Sequence, residues 1–362
     1  MNILENTYIE SEFTDQGVKC WKLKGSDFKN RYYVISEAET RKLLSTPEIV
    51  GYEVYQCMLP GTSQMLYYLK DHGCITNANI LTILRGALNY PLEESCYREH
   101  IRVHDISFLS SERTLNENGV SGLEIKYSKL ARVPGSTLLI GDIIASGETL
   151  IHCLKYVLDD YRAHDASLRN IIIFTIGGTK AIEILEKMTD EIRSWWPDFE
   201  GFIVVYYEGI FTTYQDHGVS GINVPDVDFY WKDGIVAPDY RRQVLASRDP
   251  LFEKCVIYDG GARRYAIGEH IEEVLAFWNY MLEHSDTIDF HALIEEKSGH
   301  SVPVSFDEWI KINHYDHLGN DENEWLYQQE EGFVRSLQNV TLKEIAERRI
   351  MDFTNALKKY IL

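Results

Sequence analysis

The chain has 362 residues, of which 44% are hydrophobic, enough for a substantial core in one large domain or two modest ones. Asp and Glu number 56 against 36 Lys and Arg, and the resulting net charge of −20 argues against a nucleic-acid backbone or an anionic membrane as partner. Met1 to Glu10 has neither the basic start nor the apolar stretch of a signal peptide, and no later run approaches a membrane span, so a cytoplasmic protein is expected. Cys20, Cys57, Cys74, Cys96, Cys153 and Cys255 form no Cys-x-x-Cys pair and are expected as reduced, mostly buried thiols.

In chain order, Val18 to Leu23 and Arg31 to Ile35 read as strands. Ser36-Glu-Ala-Glu39 reads as a capping box opening a helix that ends near Pro47. A helix from Thr62 to Lys70 stops at Gly73, and Ile80 to Leu84 is an apolar strand running into Arg85-Gly86-Ala87-Leu88. Pro91 starts a helix from Leu92 towards His100. Ile106 to Leu109, a polar stretch from Ser110 to Gly122, and Leu123 to Tyr127 read as a hairpin with a long tip. Asn170 to Ile176 and Phe202 to Tyr207 are further strands, with Gly177-Gly178 a turn and Lys180 to Met188 a helix between them. Strands alternating with helices at this spacing predict a parallel sheet with helices on both faces.

One stretch carries the chemistry. In Leu138 to Leu150, Leu-Leu-Ile-Gly-Asp-Ile-Ile-Ala-Ser-Gly-Glu-Thr-Leu, a buried strand runs into a tight turn and a helix start. Backbone N–H groups from Ala145 to Thr149 converge at the positive end of that helix, Gly147 permits close approach, and Ser146 and Thr149 add hydroxyl donors. That is a phosphate site in outline, with Asp142 within reach of a sugar.

This stretch resembles the ribose-phosphate loop of the type I phosphoribosyltransferases, in which an acidic pair and two apolar residues precede Ala-Thr-Gly-small-Thr. Asp142, Ala145, Ser146, Gly147 and Thr149 match it. Gly141 replaces the first acid, and Glu148 stands where most members carry a small residue. A carboxylate about 4 Å from one phosphate charge costs about 4 kcal/mol at an effective dielectric near 20, so Glu148 is expected to point outward and lend only its N–H.

Ile-Leu-Arg-Gly-Ala-Leu at Ile83 to Leu88 is especially similar to Ile-Leu-Arg-Ala-Gly-Leu of the uracil phosphoribosyltransferases, and Lys126-Tyr-Ser-Lys-Leu130 to their Tyr-Tyr-x-Lys-Leu. The resemblance implies a phosphoribosyltransferase-like α/β core over 56–215. It is flanked by an N-terminal α+β accessory segment, 1–55, and a loop-rich then helical C-terminal extension, 216–362. It also implies phosphoribosyl pyrophosphate as donor, a small nucleobase-like acceptor, and Mg2+ held through substrate oxygens with no protein metal ligand assigned. Asp142 would face the ribose, 145–149 the 5-phosphate, Arg85 and Gly86 the pyrophosphate, and Arg113 and Lys129 the leaving group. Arg85 could instead simply solvate a loop, and Lys126 a charged hairpin.

The extension has fewer signals. Gly221 to Tyr240 is aromatic and loop-like, and Val256 to Arg264 reads as a strand with either a second anion-binding turn or a glycine turn with solvated arginines. Helices are predicted over Ile271–Leu282, Phe290–Lys297, Phe306–Asn313 and Leu342–Tyr360. His100/His104 and His314/His317 have metal-like spacing without a third ligand, which favours satisfied histidines. A non-catalytic sensor of phosphoribosyl pyrophosphate or a nucleotide, and an α/β protein-interaction module, are the competing functions; a homodimer is a further expectation.

Overall fold

The computed structural model describes residues 3–84, 88–115, 121–213, 229–254 and 260–358. Its centre is a parallel sheet built from the apolar runs. The strands are β3 (Arg31–Ser36), β4 (Asn77–Leu84), β5 (Arg102–Leu115), β7 (Ser136–Ile144), β8 (Leu168–Gly178) and β9 (Phe202–Thr212). They lie in the order β3-β9-β8-β7-β4-β5. Leu138–Ile140, Ile171–Phe174 and Phe202–Val205 are all buried, because strands covered on both faces have no side to leave in water.

Helices cover both faces. Adjacent residues on a strand point to opposite sides, and Tyr206 and Tyr207 show the two environments. The Tyr207 hydroxyl meets Thr62 Oγ1 of α2 (Tyr52–Asp71) at 2.6 Å. On the Tyr206 side, Tyr32 donates to Glu186 of α5 (Lys180–Trp195) at 2.8 Å. The chain leaves β4 for β5 on one side and returns through β7 on the other. The strand order therefore reverses between β4 and β7, and a crevice forms outside their C-terminal ends.

The N-terminal segment continues this sheet, since β1 (Tyr8–Asp15) and β2 (Val18–Lys24) extend β3 antiparallel, and β3 pairs in parallel with β9. Beyond Tyr207, where β3 has ended, β10 (Tyr230–Val236) takes its place beside β9. The helical extension follows: α6 (Pro238–Ser247), α7 (Gly260–Tyr265), α8 (Ile267–Glu283), α9 (Phe290–Ser298), α10 (Phe306–Asn313), α11 (Asn320–Leu337) and α12 (Leu342–Leu357). No helix among the described residues is long and apolar enough to cross a membrane.

Several elements differ from their sequence expectations. Helix α2 begins ten residues before Thr62 and passes through Pro60. Helix α1 (Ala38–Ser45) is capped by the Glu37 carboxylate, which accepts from the N–H groups of Glu39 and Thr40, and not by Ser36. Gly177 and Gly178 continue β8 instead of turning. The hairpin is mostly ladder, with β5 paired to β6 (Ser121–Lys129) from Phe108↔Lys129 to Leu115↔Ser121.

Candidate active site

The sheet's C-terminal edge positions the predicted residues of the Leu138–Leu150 stretch together. Strand β7 is buried through Gly141 and loosens at Asp142 and Ile143, which are partly exposed. The Asp142 carboxylate accepts the Ile143 N–H at 2.9 Å. Its surroundings offer little else to a negative charge, and burial pushes the carboxyl up to about 7. Cys153, buried in α4 (Glu148–Ala163), points its thiol at Ser111 Oγ of β5, 3.8 Å away. Burial, with the nearby Asp142 charge, pushes that thiol up to about 11.

Gly147 holds the turn. Its φ is +79°, a left-handed conformation, and a Cβ there would lie 3.1 Å from Ile184 Cδ1. It forms the N-cap of α4 with no side-chain cap. The Glu148 N–H reaches Ser146 Oγ at 3.4 Å, and the first turn otherwise keeps its donors and the positive end of a 16-residue dipole for an anion. Ala145, Ser146 and Thr149 are partly exposed around this turn, whereas Glu148 is exposed.

Gly141 has a steric explanation. A Cβ at this position would fall 2.2 Å from Leu88 O and 2.6 Å from Asn89 N, because the chain after β4 crosses here. The space that the first acid of the pair would need is filled by backbone. Gly141→Asp therefore cannot restore an acidic pair; it is expected to displace the 88–90 turn and destabilise the fold by about 1–3 kcal/mol. An unchanged melting temperature in Gly141→Ala would show that the turn yields freely.

The remaining predicted residues are spread more widely. Arg85 and Gly86 lie outside the described residues. The Arg113 backbone sits in β5 opposite Leu123, but its side chain is outside the described set. Lys129 begins the hairpin ladder opposite Phe108 and is exposed. Lys126 pairs with Glu124 at 2.7 Å, which is the solvated-hairpin alternative. Arg263 is buried and donates to Leu43 O, Thr46 O and Ile49 O, so it closes the end of α1 and is not an anion ligand. His314 Nδ1 lies 2.9 Å from Thr7 O and His317 stacks on Tyr8 at 3.7 Å; both are satisfied structurally.

Three features of this edge take shape only in the fold, the third of them drawing on the aromatic stretch that ends at Tyr240. Asp142, Thr175 and Tyr206 are register neighbours across β7, β8 and β9, and the hydroxyls of the latter two are buried without a hydrogen-bond partner. Glu208, at φ +64°, accepts the Glu37 N–H at 3.0 Å and the Thr40 hydroxyl, and burial pushes its carboxyl up to about 8. One strand from Asp142, Ile176 joins Phe211, Phe229, Trp231, Tyr240 and Leu251 around a shallow aromatic cleft. Its aromatic lining offers ring faces and edges against which a planar molecule can stack. Only strand pairing and the approach of β10 bring these residues together.

The likenesses to solved structures are distant. A search with protein-family models finds no match, and no curated protein matches. The AQ2163 protein from Aquifex aeolicus superposes with 17% identity over 48% of this chain and 86% of its own, at a TM-score of 0.33. A hypoxanthine phosphoribosyltransferase from Staphylococcus aureus gives 16% identity over 36% of this chain and 67% of its own, at 0.27. A hypoxanthine-guanine phosphoribosyltransferase from L. donovani gives 18% over 38% and 78%, at 0.29. Similarity this low assigns neither family nor activity.

Among the described residues no group of three His, Cys, Asp or Glu side chains is placed to hold a metal ion. A magnesium ion that keeps most of its shell as water and phosphate oxygen needs only one or two carboxylates, and Asp142 at the crevice fits that requirement.

Proposed function

We propose that this chain transfers a phosphoribosyl group from phosphoribosyl pyrophosphate to a planar nitrogen base. The observation that carries this reading is the β7–α4 junction: an uncapped helix N-terminus on a left-handed glycine, beside one carboxyl group, at the point where strand order reverses. The turn 145–149 takes the 5-phosphate, with Glu148 lending its N–H while its exposed carboxylate stays in solvent. Asp142 binds the ribose hydroxyls. As the acceptor nitrogen bonds to the anomeric carbon, the bond to pyrophosphate breaks and its electron pair leaves with the pyrophosphate; Asp142 opposes the positive charge that develops on the sugar.

A carboxyl held at about 7 is only partly ionised at neutral pH, and the positive charge that develops on the sugar favours its charged form. When bound, magnesium offsets the diphosphate charge. Arg85, Gly86, Arg113 and Lys129 are assigned to the pyrophosphate on the motif resemblance alone, as is the likeness to uracil-type enzymes. The aromatic cleft beside Ile176 is assigned to the acceptor. The buried free thiols Cys20, Cys57, Cys74, Cys96 and Cys153 support placing this reaction in the cytoplasm, and a homodimer completes the proposal.

A second reading, binding of phosphoribosyl pyrophosphate or a nucleotide without turnover, is favoured by Gly141, where backbone excludes the missing acid. Calorimetric titration with phosphoribosyl pyrophosphate and magnesium separates the readings. Binding followed by pyrophosphate release with a panel of bases supports the transferase; binding with no release supports the sensor. Absence of binding by folded protein leaves a protein-interaction module. In the same titration Glu148→Gly is expected to bind as tightly as wild type or more so, and a large loss would mean that the carboxylate makes a required contact.

A further inference from the structure

Arginines in this acidic chain commonly meet carboxylates: Arg132 pairs with Asp160, Arg169 with Glu200, Arg241 with Glu330, and Arg348 with Asp249. Arg264 does not. Its guanidinium carbon lies 4.1 Å from the ring centroid of Tyr90, 5.0 Å from that of Tyr265 and 5.2 Å from that of Tyr55. Ring faces attract the cation but accept none of its in-plane N–H bonds, and Nη1 is buried with no hydrogen-bond partner. Glu94, close enough to accept the Tyr55 hydroxyl, is itself paired with Arg98. Tyrosines thus hold a partly exposed arginine whose Nη1 has no hydrogen-bond partner among the described residues.

Its place is equally specific. Arg263, bonded to three carbonyls between Leu43 and Ile49, and the Gly51 N–H bond to Arg263 O pin α7 to the corner between α1 and α2. Tyr90 follows the Leu88–Asn89 backbone that packs on Gly141, next to Asp142. Through Tyr55 and Tyr90, Arg264 is tied to the face of the sheet that α2 covers, beside the turn that follows the C-terminal end of β4.

We propose that Arg264, contributed by the C-terminal extension, binds the diphosphate of the donor. This rests on the transferase reading, and assigns to the extension a direct part in the site: one phosphate at α4, the diphosphate at Arg264, with Asp142 between them.

The test uses two probes, inorganic pyrophosphate and ribose 5-phosphate, each titrated with magnesium into the full chain. Wild type is expected to bind both. Arg264→Gln is expected to lose about 10-fold or more in pyrophosphate affinity, the range for a charged hydrogen bond, while ribose 5-phosphate affinity stays within about 2-fold. Arg264→Lys should recover part of the loss. Wild-type pyrophosphate binding by Arg264→Gln overturns the proposal and leaves the transferase reading intact. Equal loss of both probes, with no recovery in Arg264→Lys, also overturns it, because the residue then only supports the fold. Pyrophosphate binding that depends on Arg264 in a chain that ignores ribose 5-phosphate upholds the diphosphate site and removes the transferase reading. A wild type that binds neither probe overturns both.

Discussion

Asp142→Asn is expected to reduce turnover by about 10²-fold or more and to raise the melting temperature by several degrees at pH 8, with little change at pH 4. The two effects have one cause. A carboxyl raised from an ordinary 3.8 to about 7 holds its proton more tightly in the folded chain than in the unfolded one. The native state therefore binds more protons between these values, and stability falls as pH rises through that window. Well above pH 7 the penalty is fully present, on the order of a few kcal/mol. Asparagine keeps the shape and can still accept the Ile143 N–H, yet never ionises. It removes the penalty together with the charge that opposes the developing cation. Turnover equal to wild type would remove Asp142 from the mechanism; a stability gain independent of pH would mean that the carboxyl titrates normally.

Much of the parallel sheet was legible because its strands are continuous apolar runs ended by glycine, proline or a charge. Leu138 to Leu150 was legible for a further reason: phosphate-binding chemistry there uses consecutive backbone N–H groups, which need no distant partner. What failed to show has particular causes. Pro60 and Gly61 look like a break, yet α2 continues through both, with Gly61 and Thr62 buried against the sheet. Ser110 to Leu115 is polar but still pairs with β6, since a hairpin ladder is made by backbone and tolerates polar side chains. Helix α11 was missed because its inward stripe, Asn323, Leu326, Glu330, Phe333, Val334 and Leu337, includes two polar residues. Glu208 and Arg264 acquire their character only from what folds against them.

Replacing Glu330 tests how firmly the C-terminal helices belong to the sheet. Arg241 on α6 and Glu330 on α11 are both buried, with Nη1 2.6 Å from Oε2 and 2.9 Å from Oε1. The same guanidinium reaches Asn313 and, at 3.3 Å, the Tyr315 hydroxyl. It also lies 4.7 Å from the ring centroid of Trp231 in β10, a wall of the aromatic cleft. Glu330→Leu leaves that guanidinium charged and desolvated without a counter-charge, and is expected to cost about 3–5 kcal/mol. Arg241→Met should cost a similar amount by stranding the carboxylate. The double variant, which removes both charges and fills the space with hydrocarbon, should regain most of the loss, because the pair spends much of its attraction on its own desolvation. Thermal or denaturant unfolding of the four proteins measures the coupling. Since β10 is hydrogen-bonded to β9, the single variants should also loosen the cleft at Trp231 and weaken acceptor binding more than donor binding. Single variants that melt with wild type would show that the ion pair adds nothing. Additive losses would show that the two residues act separately, and that the extension is held to the sheet by its apolar packing alone.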